Sequence, residues 1–177
     1  MTLVAVTGTP GVGKTALTSE LSARGRFVID LNGYIRERGL LGERDEERDT
    51  YNVDIDGLNQ ALDEYRTSDG VAIMDGHLSH CVDCDLAIVL RCAPPELARR
   101  LEARGYGESK VAENVQAEII DVILCEAVET GIPVYEIDCT GMSVGGAADA
   151  AEEILAGNTD KYLPGAVSWL GDLEEWF

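Results

Sequence analysis

The sequence predicts an α/β fold in which a five-stranded parallel sheet carries helices on both faces. Three observations lead to this prediction. Apolar runs of strand length alternate with stretches of helical spacing, a glycine-rich pattern joins the first strand to the first helix, and 177 residues suit one domain, residues 1–177. In such a sheet, ligands bind along the edge where the strands have their carboxyl ends.

The first strand, residues 3–6 (LVAV), leads into residues 8–15, GTPGVGKT, which fit the pattern GxxxxGK[ST]. Glycines at these positions allow a tight turn whose backbone N–H groups converge on one phosphate. The helix expected over 16–24 adds the positive end of its dipole. The glycines of the pattern are Gly8, Gly11 and Gly13.

The two residues that end this pattern carry its chemistry. Lys14 is placed to bridge the β- and γ-phosphates of a nucleotide, and the Thr15 hydroxyl is placed to hold Mg²⁺. The alternative is a glycine-rich turn that fits by chance. Because the strand before and the helix after both agree with the pattern, we predict that the chain binds a nucleoside triphosphate with Mg²⁺.

The other elements follow in alternation. Apolar runs predict buried parallel strands, and two of these runs close on Asp75 and Arg91. Apolar residues spaced three and four apart predict helices, and Pro94 favours the start of one of them. The expected strands are 27–29, 71–74, 86–90 and 132–137, and the expected helices are 30–38, 55–65, 94–104, 111–122 and 147–155. Residues 42–49 are polar throughout and are interpreted as a mobile, solvated segment.

The charge of the chain is strongly negative, at −19, and only three residues are lysines. Such a surface repels long nucleic acid and anionic membranes, so neither is expected as a partner. It suits concentrated salt, where screening removes the self-repulsion, and the hypothesis is a salt-loving source.

Two features indicate the cellular compartment. The chain has five cysteines, and its first residues enter a strand and do not form the basic n-region of a signal peptide. We therefore expect the reducing cytoplasm. No apolar run approaches the length that a bilayer requires.

Asp75 ends an apolar strand, where an acidic residue can hold the magnesium shell; the alternative is a carboxylate that only begins a turn. His77 and His80 follow it, and with Cys81 and Cys84 they form H-x₂-H-C-x₂-C. That pattern could bind zinc, but four ligands within eight residues are compressed, and cytosolic cysteines are often small hydrophobes, so zinc is disfavoured.

Several motifs together resemble the adenylate kinase isoenzyme 6 family, small nucleotide kinases of archaea and eukaryotes that are tied to maturation of the small ribosomal subunit. The motifs are GTPGVGKT at 8–15, DGHLSH at 75–80, VLR at 89–91, RLEARGY at 100–106, Lys110, and EN at 113–114. The resemblance covers residues 3–154 and implies a P-loop nucleotide-kinase fold with short NMP-binding and lid segments.

The resemblance also implies roles for particular residues. The ATP loop would consist of Gly11, Gly13, Lys14, Thr15 and the backbone of Ala16. Residues 30–53 would receive the monophosphate, with Asp30 and Arg36 as ligands, and residues 103–113 would form the lid. Lys14, Asp75, His77 and Arg104 would be catalytic, Arg104 by reaching ATP, and Thr15 and Asp75 would hold Mg²⁺.

The arginines support a phosphate site independently of the resemblance. Arg100 and Arg104 lie four residues apart on one helix face, where like charges repel unless anions lie between them. Together with Arg91 they are expected near one edge of the sheet, so Arg91 and Arg100 are predicted to bind substrate. The alternative is that acidic neighbours such as Glu96 pair with them.

Two uses of ATP remain open at this point. In the first, the protein transfers the γ-phosphate from MgATP to AMP. In the second, it is an ATPase switch in which Asp75 or His77 positions water and hydrolysis releases a basic ribosomal protein of the small subunit, which an acidic surface would attract. A third class is a polynucleotide or small-molecule kinase. The two tryptophans near the C-terminus either pack on the sheet or meet a partner, and packing is favoured.

Overall fold

The computed structural model describes residues 1–45 and 50–177, so part of the polar stretch 42–49 lies outside the described residues. The strands are β1 (Thr2–Thr7), β2 (Phe27–Asp30), β3 (Leu41–Asp45), β4 (Thr50–Val53), β5 (Val71–Asp75), β6 (Leu86–Arg91) and β7 (Val134–Asp138). Five of them form a parallel sheet in the order β2-β5-β1-β6-β7. The predicted fold class is confirmed.

The register of the sheet brings the functional strand ends together. Asp75 lies opposite Val6 of the central strand β1 and opposite Asp30 of β2. β1 continues directly into the glycine-rich loop. The loop, Asp75 and Asp30 therefore share one edge of the sheet.

Helices cover both faces, because alternate residues of each strand point to opposite sides. The helices are α1 (Lys14–Ala23), α2 (Leu31–Glu37), α3 (Ile55–Arg66), α4 (Pro94–Ala103), α5 (Glu108–Ile119), α6 (Val122–Glu129), α7 (Val144–Leu155) and α8 (Leu173–Trp176). Val4 and Val6 face the cluster formed with α1, α4, α5 and α7, whereas Leu3 and Ala5 face the cluster formed with α2, α3 and α6. Aspartates cap the N-termini of two helices: Asp30 accepts from the Gly33 N–H at 3.1 Å and Asp54 accepts from the Gly57 N–H at 3.0 Å.

Two predictions about elements are wrong. Residues 42–45 belong to β3, which pairs antiparallel with β4 in a separate two-stranded ribbon. Because this ribbon lies outside the main sheet, its sequence lacks the apolar run by which a buried strand is recognised. The helix expected over 111–122 is broken into α5 and α6 at Asp121, whose φ is 58°. Its carboxylate forms an ion pair with Arg91, and Asp is among the few residues that adopt this conformation readily.

Candidate active site

The loop of residues 8–13 between β1 and α1 requires glycine for two different reasons. At Gly8, φ is 135° and a β-carbon would lie 2.5 Å from the carbonyl oxygen of Leu90. At Gly13, which precedes α1, φ is 120° although no heavy atom lies within 4 Å of a β-carbon position. Close packing therefore demands glycine at the first position, and backbone conformation alone demands it at the second.

Lys14 lies within the curve of this loop. Its ammonium group donates to the carbonyl oxygens of Gly8 and of Thr9, the latter at 3.1 Å. Burial lowers the pKa of Lys14 to about 8, the nearby Asp75 carboxylate works against that shift, and the Arg104 charge adds to it. The loop therefore holds a cation that gains from a bound anion.

This pKa predicts a specific pH dependence of anion binding. A triphosphate beside Lys14 raises its pKa again, so binding above about pH 8 must take up a proton. The association constant for MgATP is expected to fall roughly tenfold per pH unit above that value. Calorimetry in buffers of different ionisation enthalpy measures the proton uptake, and an affinity that stays flat from pH 7.5 to about 9.5 would contradict the prediction.

Two clefts flank the first turn of α1. One has a volume of 230 Å³ and lies on the side of Gly11, Gly13 and Ala16. The other has a volume of 610 Å³ and lies on the side of Thr15. The first cleft is also lined by Arg100, Arg104, Cys139 and residues 142–144. The second is also lined by Thr18, Ser19, Ser22, Val28, Asp30, Asn32, Arg36 and Asp75. The larger cleft thus contains the predicted Asp30, Arg36 and Asp75, and the smaller contains the predicted Gly11, Gly13, Ala16 and Arg104.

Asp75 is held in the larger cleft by Thr18. The Thr18 hydroxyl donates to the Asp75 carboxylate at 3.0 Å, and Thr15 lines the same cleft. A carboxylate and a hydroxyl are hard oxygen ligands of the kind that Mg²⁺ prefers, with room left for water and phosphate. The residues present fit a magnesium ion, and Thr15 and Asp75 would hold it.

His77 lies beside the larger cleft. It lines an adjoining cavity of 450 Å³ that shares Asn32 and Arg36 with that cleft. Desolvation by the surrounding protein, with the positive charge of Lys14, lowers the pKa of His77 below its ordinary value. At neutral pH the imidazole is therefore uncharged and able to accept a proton.

His80 has a different environment. Its side chain is buried, with Nδ1 at 2.8 Å from the Thr7 hydroxyl and Nε2 at 3.1 Å from a Glu126 carboxylate oxygen. The contact with Thr7 links the turn after β5 to the last residue of β1. Within the described part of the chain, no three His, Cys, Asp or Glu side chains are grouped as a metal site would require, so the residues of H-x₂-H-C-x₂-C do not assemble.

Arg100 lies beside the phosphate loop. Its guanidinium pairs with Glu96 at 2.8 Å and donates to the carbonyl oxygens of Val12 at 3.0 Å and Cys139 at 3.2 Å. Arg100 thus makes the pair with Glu96 that was the alternative, and it also lines the smaller cleft, so its role as a substrate ligand stays a prediction. Arg104 ends α4 with an exposed side chain. The predicted lid, residues 103–113, comprises this helix end, a short connection and the first half of α5.

Arg91 does not reach either cleft, and its assignment to substrate is corrected. Its side chain is only 1% exposed and forms ion pairs with Glu118 at 2.9 Å, with Glu136 at 3.0 Å and with Asp121. Four of the five guanidinium N–H groups already donate to Glu118, Glu136 and Asp121, so this buried side chain is committed to the fold and not to a nucleotide.

Thr18 and Asn32 are site residues that were not predicted. Thr18 follows Thr15 by three residues on α1, which places both on one helix face, so helical spacing could have indicated it. Asn32 could not be singled out, because one amide in a helix carries no pattern.

All five cysteines are free. No helix in the described ranges is both long and apolar enough to cross a bilayer.

Comparison with known proteins adds to this geometry. Residues 4–121 match the model of a family described as "AAA domain". A protein of Methanocaldococcus jannaschii named "Putative adenylate kinase" is 44% identical over 167 residues, covering 94% of this chain and 92% of the relative. A protein of the same name from Natronomonas pharaonis is 47% identical over 156 residues, covering 87% and 90%.

Solved structures are similar at the level of the fold. A shikimate kinase from Bacteroides thetaiotaomicron has a TM-score of 0.54 at 20% identity, covering 88% of this chain and 98% of that one. A gluconokinase from Sinorhizobium meliloti has a TM-score of 0.56 at 15% identity, covering 90% and 94%. At such identities the likeness establishes the architecture alone.

Proposed function

Because this chain belongs to the AAA domain family and to the family of these archaeal adenylate kinase relatives, we propose that it transfers the γ-phosphate of MgATP to AMP. The observation that carries the proposal is the pair of clefts on either side of the first turn of α1. A triphosphate on the loop would have its base and sugar in the smaller cleft. Its γ-phosphate would then face the larger cleft, where an acceptor can be placed in line.

The charges of the larger cleft suit a monophosphate acceptor. Arg36 lines that cleft and the adjoining cavity, so its guanidinium can hold the acceptor phosphate, while Asp30 and Asn32 line the same wall. On the other side Arg104 lines the smaller cleft. The reacting phosphates would lie between these two cations and Lys14, which offsets their mutual repulsion.

The transfer needs little acid–base chemistry. An oxygen of the AMP phosphate forms a bond to the γ-phosphorus of ATP. The bond from that phosphorus to the oxygen that bridges the β- and γ-phosphates breaks, so that two ADP molecules result. The attacking phosphate is already anionic near neutral pH and requires no base. Thr15 and Asp75 would hold Mg²⁺, which would supply positive charge to offset that of the triphosphate. The Lys14 ammonium group would stabilise the negative charge that develops on the transferred phosphoryl group.

Initial rates of ADP formation test this function. ATP is supplied alone and with each nucleoside monophosphate in turn, at high KCl. ADP formation that depends on AMP supports transfer, whereas equal rates with and without any monophosphate would overturn it.

We further propose ATP hydrolysis as a second activity, because His77 lies beside the acceptor cleft with a lowered pKa. Attack by water, unlike attack by a phosphate, requires removal of a proton, and a neutral imidazole can accept it. His77→Ala is therefore expected to lower AMP-independent ADP formation by about 10²-fold, with a much smaller effect on AMP phosphorylation. His80→Ala is not a suitable control, because His80 is buried and fastens β5 to β1.

The comparison for His77 is His77→Gln, which retains a polar side chain without a basic nitrogen. Both variants should lose hydrolysis to the same extent. Equal losses of hydrolysis and transfer would contradict a role for His77 in handling water.

The resemblance to isoenzyme 6 extends the proposal to ribosome maturation in the cytoplasm. We propose a basic small-subunit ribosomal protein as partner, since a net charge of −19 complements such a surface and five free thiols suit a reducing compartment. Binding of a purified candidate should weaken as KCl rises, and no binding even at low salt would remove this part of the proposal.

The same charge predicts a response of stability to salt. Raising KCl from about 0.1 M to about 2 M should increase the urea midpoint, because screening removes repulsion among the carboxylates. Urea titrations monitored by circular dichroism measure the change. A midpoint that falls in molar KCl would refute the proposal of a salt-loving source.

A further inference from the structure

Glu118 is a buried carboxylate that contacts three separate parts of the fold. It lies near the end of α5 and is 3% exposed. One of its oxygens accepts from the Thr9 hydroxyl at 2.5 Å, and the other accepts from Arg91 Nε at 2.9 Å and from Trp169 Nε1 at 3.4 Å. A single side chain thus joins the phosphate loop, the end of β6 and residues 163–177, which we name the C-terminal segment.

Two further hydrogen bonds connect the C-terminal segment to the same region. The Val167 N–H donates to Glu136 at 2.8 Å, and the Gln116 side chain donates to the Trp176 carbonyl at 2.6 Å. Trp169 and Trp176 pack against the apolar cluster that includes α5, so the predicted packing of the tryptophans is confirmed. The segment therefore lies on α5, the helix whose first half belongs to the predicted lid.

Thr9 is the residue through which a change at the loop reaches Glu118. Its carbonyl accepts from Lys14 at 3.1 Å, and its hydroxyl donates to Glu118. The Glu118 charge in turn opposes the lowering of the Lys14 pKa. If the loop binds a triphosphate, as the proposed function requires, Lys14 must exchange the carbonyls of Gly8 and Thr9 for phosphate oxygens.

We propose that Glu118 is a positioning residue that couples the phosphate loop to the C-terminal segment, so that nucleotide binding alters the surroundings of Trp169. The coupling passes from Lys14 to the Thr9 peptide, from the Thr9 hydroxyl to Glu118, and from Glu118 to the indole N–H. By reciprocity, loss of the Trp169 contact changes the affinity of the loop for nucleotide.

Tryptophan fluorescence tests the coupling directly, because the only two tryptophans of the chain are Trp169 and Trp176. Trp176→Phe leaves Trp169 as the sole reporter. Titration with a non-hydrolysable MgATP analogue is expected to change its emission with a dissociation constant equal to that from calorimetry. Calorimetric binding with unchanged emission would overturn the coupling alone, whereas absence of calorimetric binding would overturn the proposed function and the coupling with it.

Variants made in the Trp176→Phe background distinguish a positioning role of Glu118 from a role in packing alone. Glu118→Gln keeps the shape but presents an amide donor to one of its partners, so the emission change should be lost while calorimetry shows affinity about fivefold weaker. Glu129→Gln, which removes an equal charge from an exposed position at the end of α6, should keep both. Equal behaviour of the two variants would overturn the proposal.

The hydroxyl of Thr9 provides the second test. Thr9→Val keeps the shape and removes the donor, whereas Thr9→Ser keeps the donor, so the emission change should be absent in the first and present in the second. Circular dichroism at high KCl establishes that both are folded. An emission change that persists in folded Thr9→Val would exclude this route, and the Trp169 response in Thr9→Ser serves as the measure if the valine variant does not fold.

Discussion

Lys14→Ala is expected to lower the rate of ADP formation by about 10²–10³-fold, both with AMP and without it. The ammonium group lies in the curve of the phosphate loop, where it donates to the carbonyl oxygens of Gly8 and Thr9. No lysine is among the described residues that line the two clefts, so Lys14 in the loop between them is the ammonium group placed to reach the phosphates. Transfer and hydrolysis both place negative charge on the same phosphate oxygens, so both should be lost together.

The stability of this variant should differ little from that of the parent chain. Burial disfavours the charged form of Lys14, as its lowered pKa indicates, so removing the ammonium group relieves a cost while two hydrogen bonds are lost. The urea midpoint at high KCl measures this. Lys161→Ala is the matched control, since Lys161 is exposed and pairs with Glu153 at 2.7 Å. Unchanged turnover in folded Lys14→Ala would disprove the assignment of the loop.

The five strands of the sheet could be predicted because four are apolar runs and the last, within 132–137, alternates apolar with other residues. Burial on both faces of a parallel sheet imposes that composition, and residues 3–6 and 86–90 show it. The ribbon of β3 and β4 escaped prediction because it is not part of that sheet, so nothing forces apolar residues into it. The break at Asp121 escaped because the residue that stabilises it, Arg91, lies 30 residues away.

The candidate site divides in the same way. Residues whose position follows from a strand end or a loop motif lie where the sequence indicates: Asp75 lines the larger cleft, and Lys14 contacts the phosphate loop. The prediction for Arg91 was wrong and the role of His80 was left open, because partners distant in the sequence decide what each side chain does. Arg91 meets Glu136 across 45 residues, and His80 meets Thr7 across 73. A charged side chain at a strand end has the same sequence pattern whether a ligand or a buried carboxylate pairs with it.

Arg91→Met is expected to destabilise the fold by about 3–5 kcal/mol, because it leaves carboxylates of Glu118 and Glu136 buried without their cation. Urea titration at high KCl measures the loss. Arg91→Lys keeps the charge but cannot reproduce the planar guanidinium contacts, so its loss should be intermediate. Arg99→Met is the matched control: Arg99 is 68% exposed and pairs with Glu96, so its removal should cost about 1 kcal/mol or less.

This series distinguishes a structural arginine from one that binds substrate. A structural Arg91 changes the urea midpoint, and the protein that remains folded in high KCl keeps an affinity for AMP close to that of the parent chain. A substrate ligand would do the reverse, with weaker AMP binding at an unchanged midpoint. Because three carboxylates surround one guanidinium, an unchanged urea midpoint in Arg91→Met would contradict the ion-pair explanation.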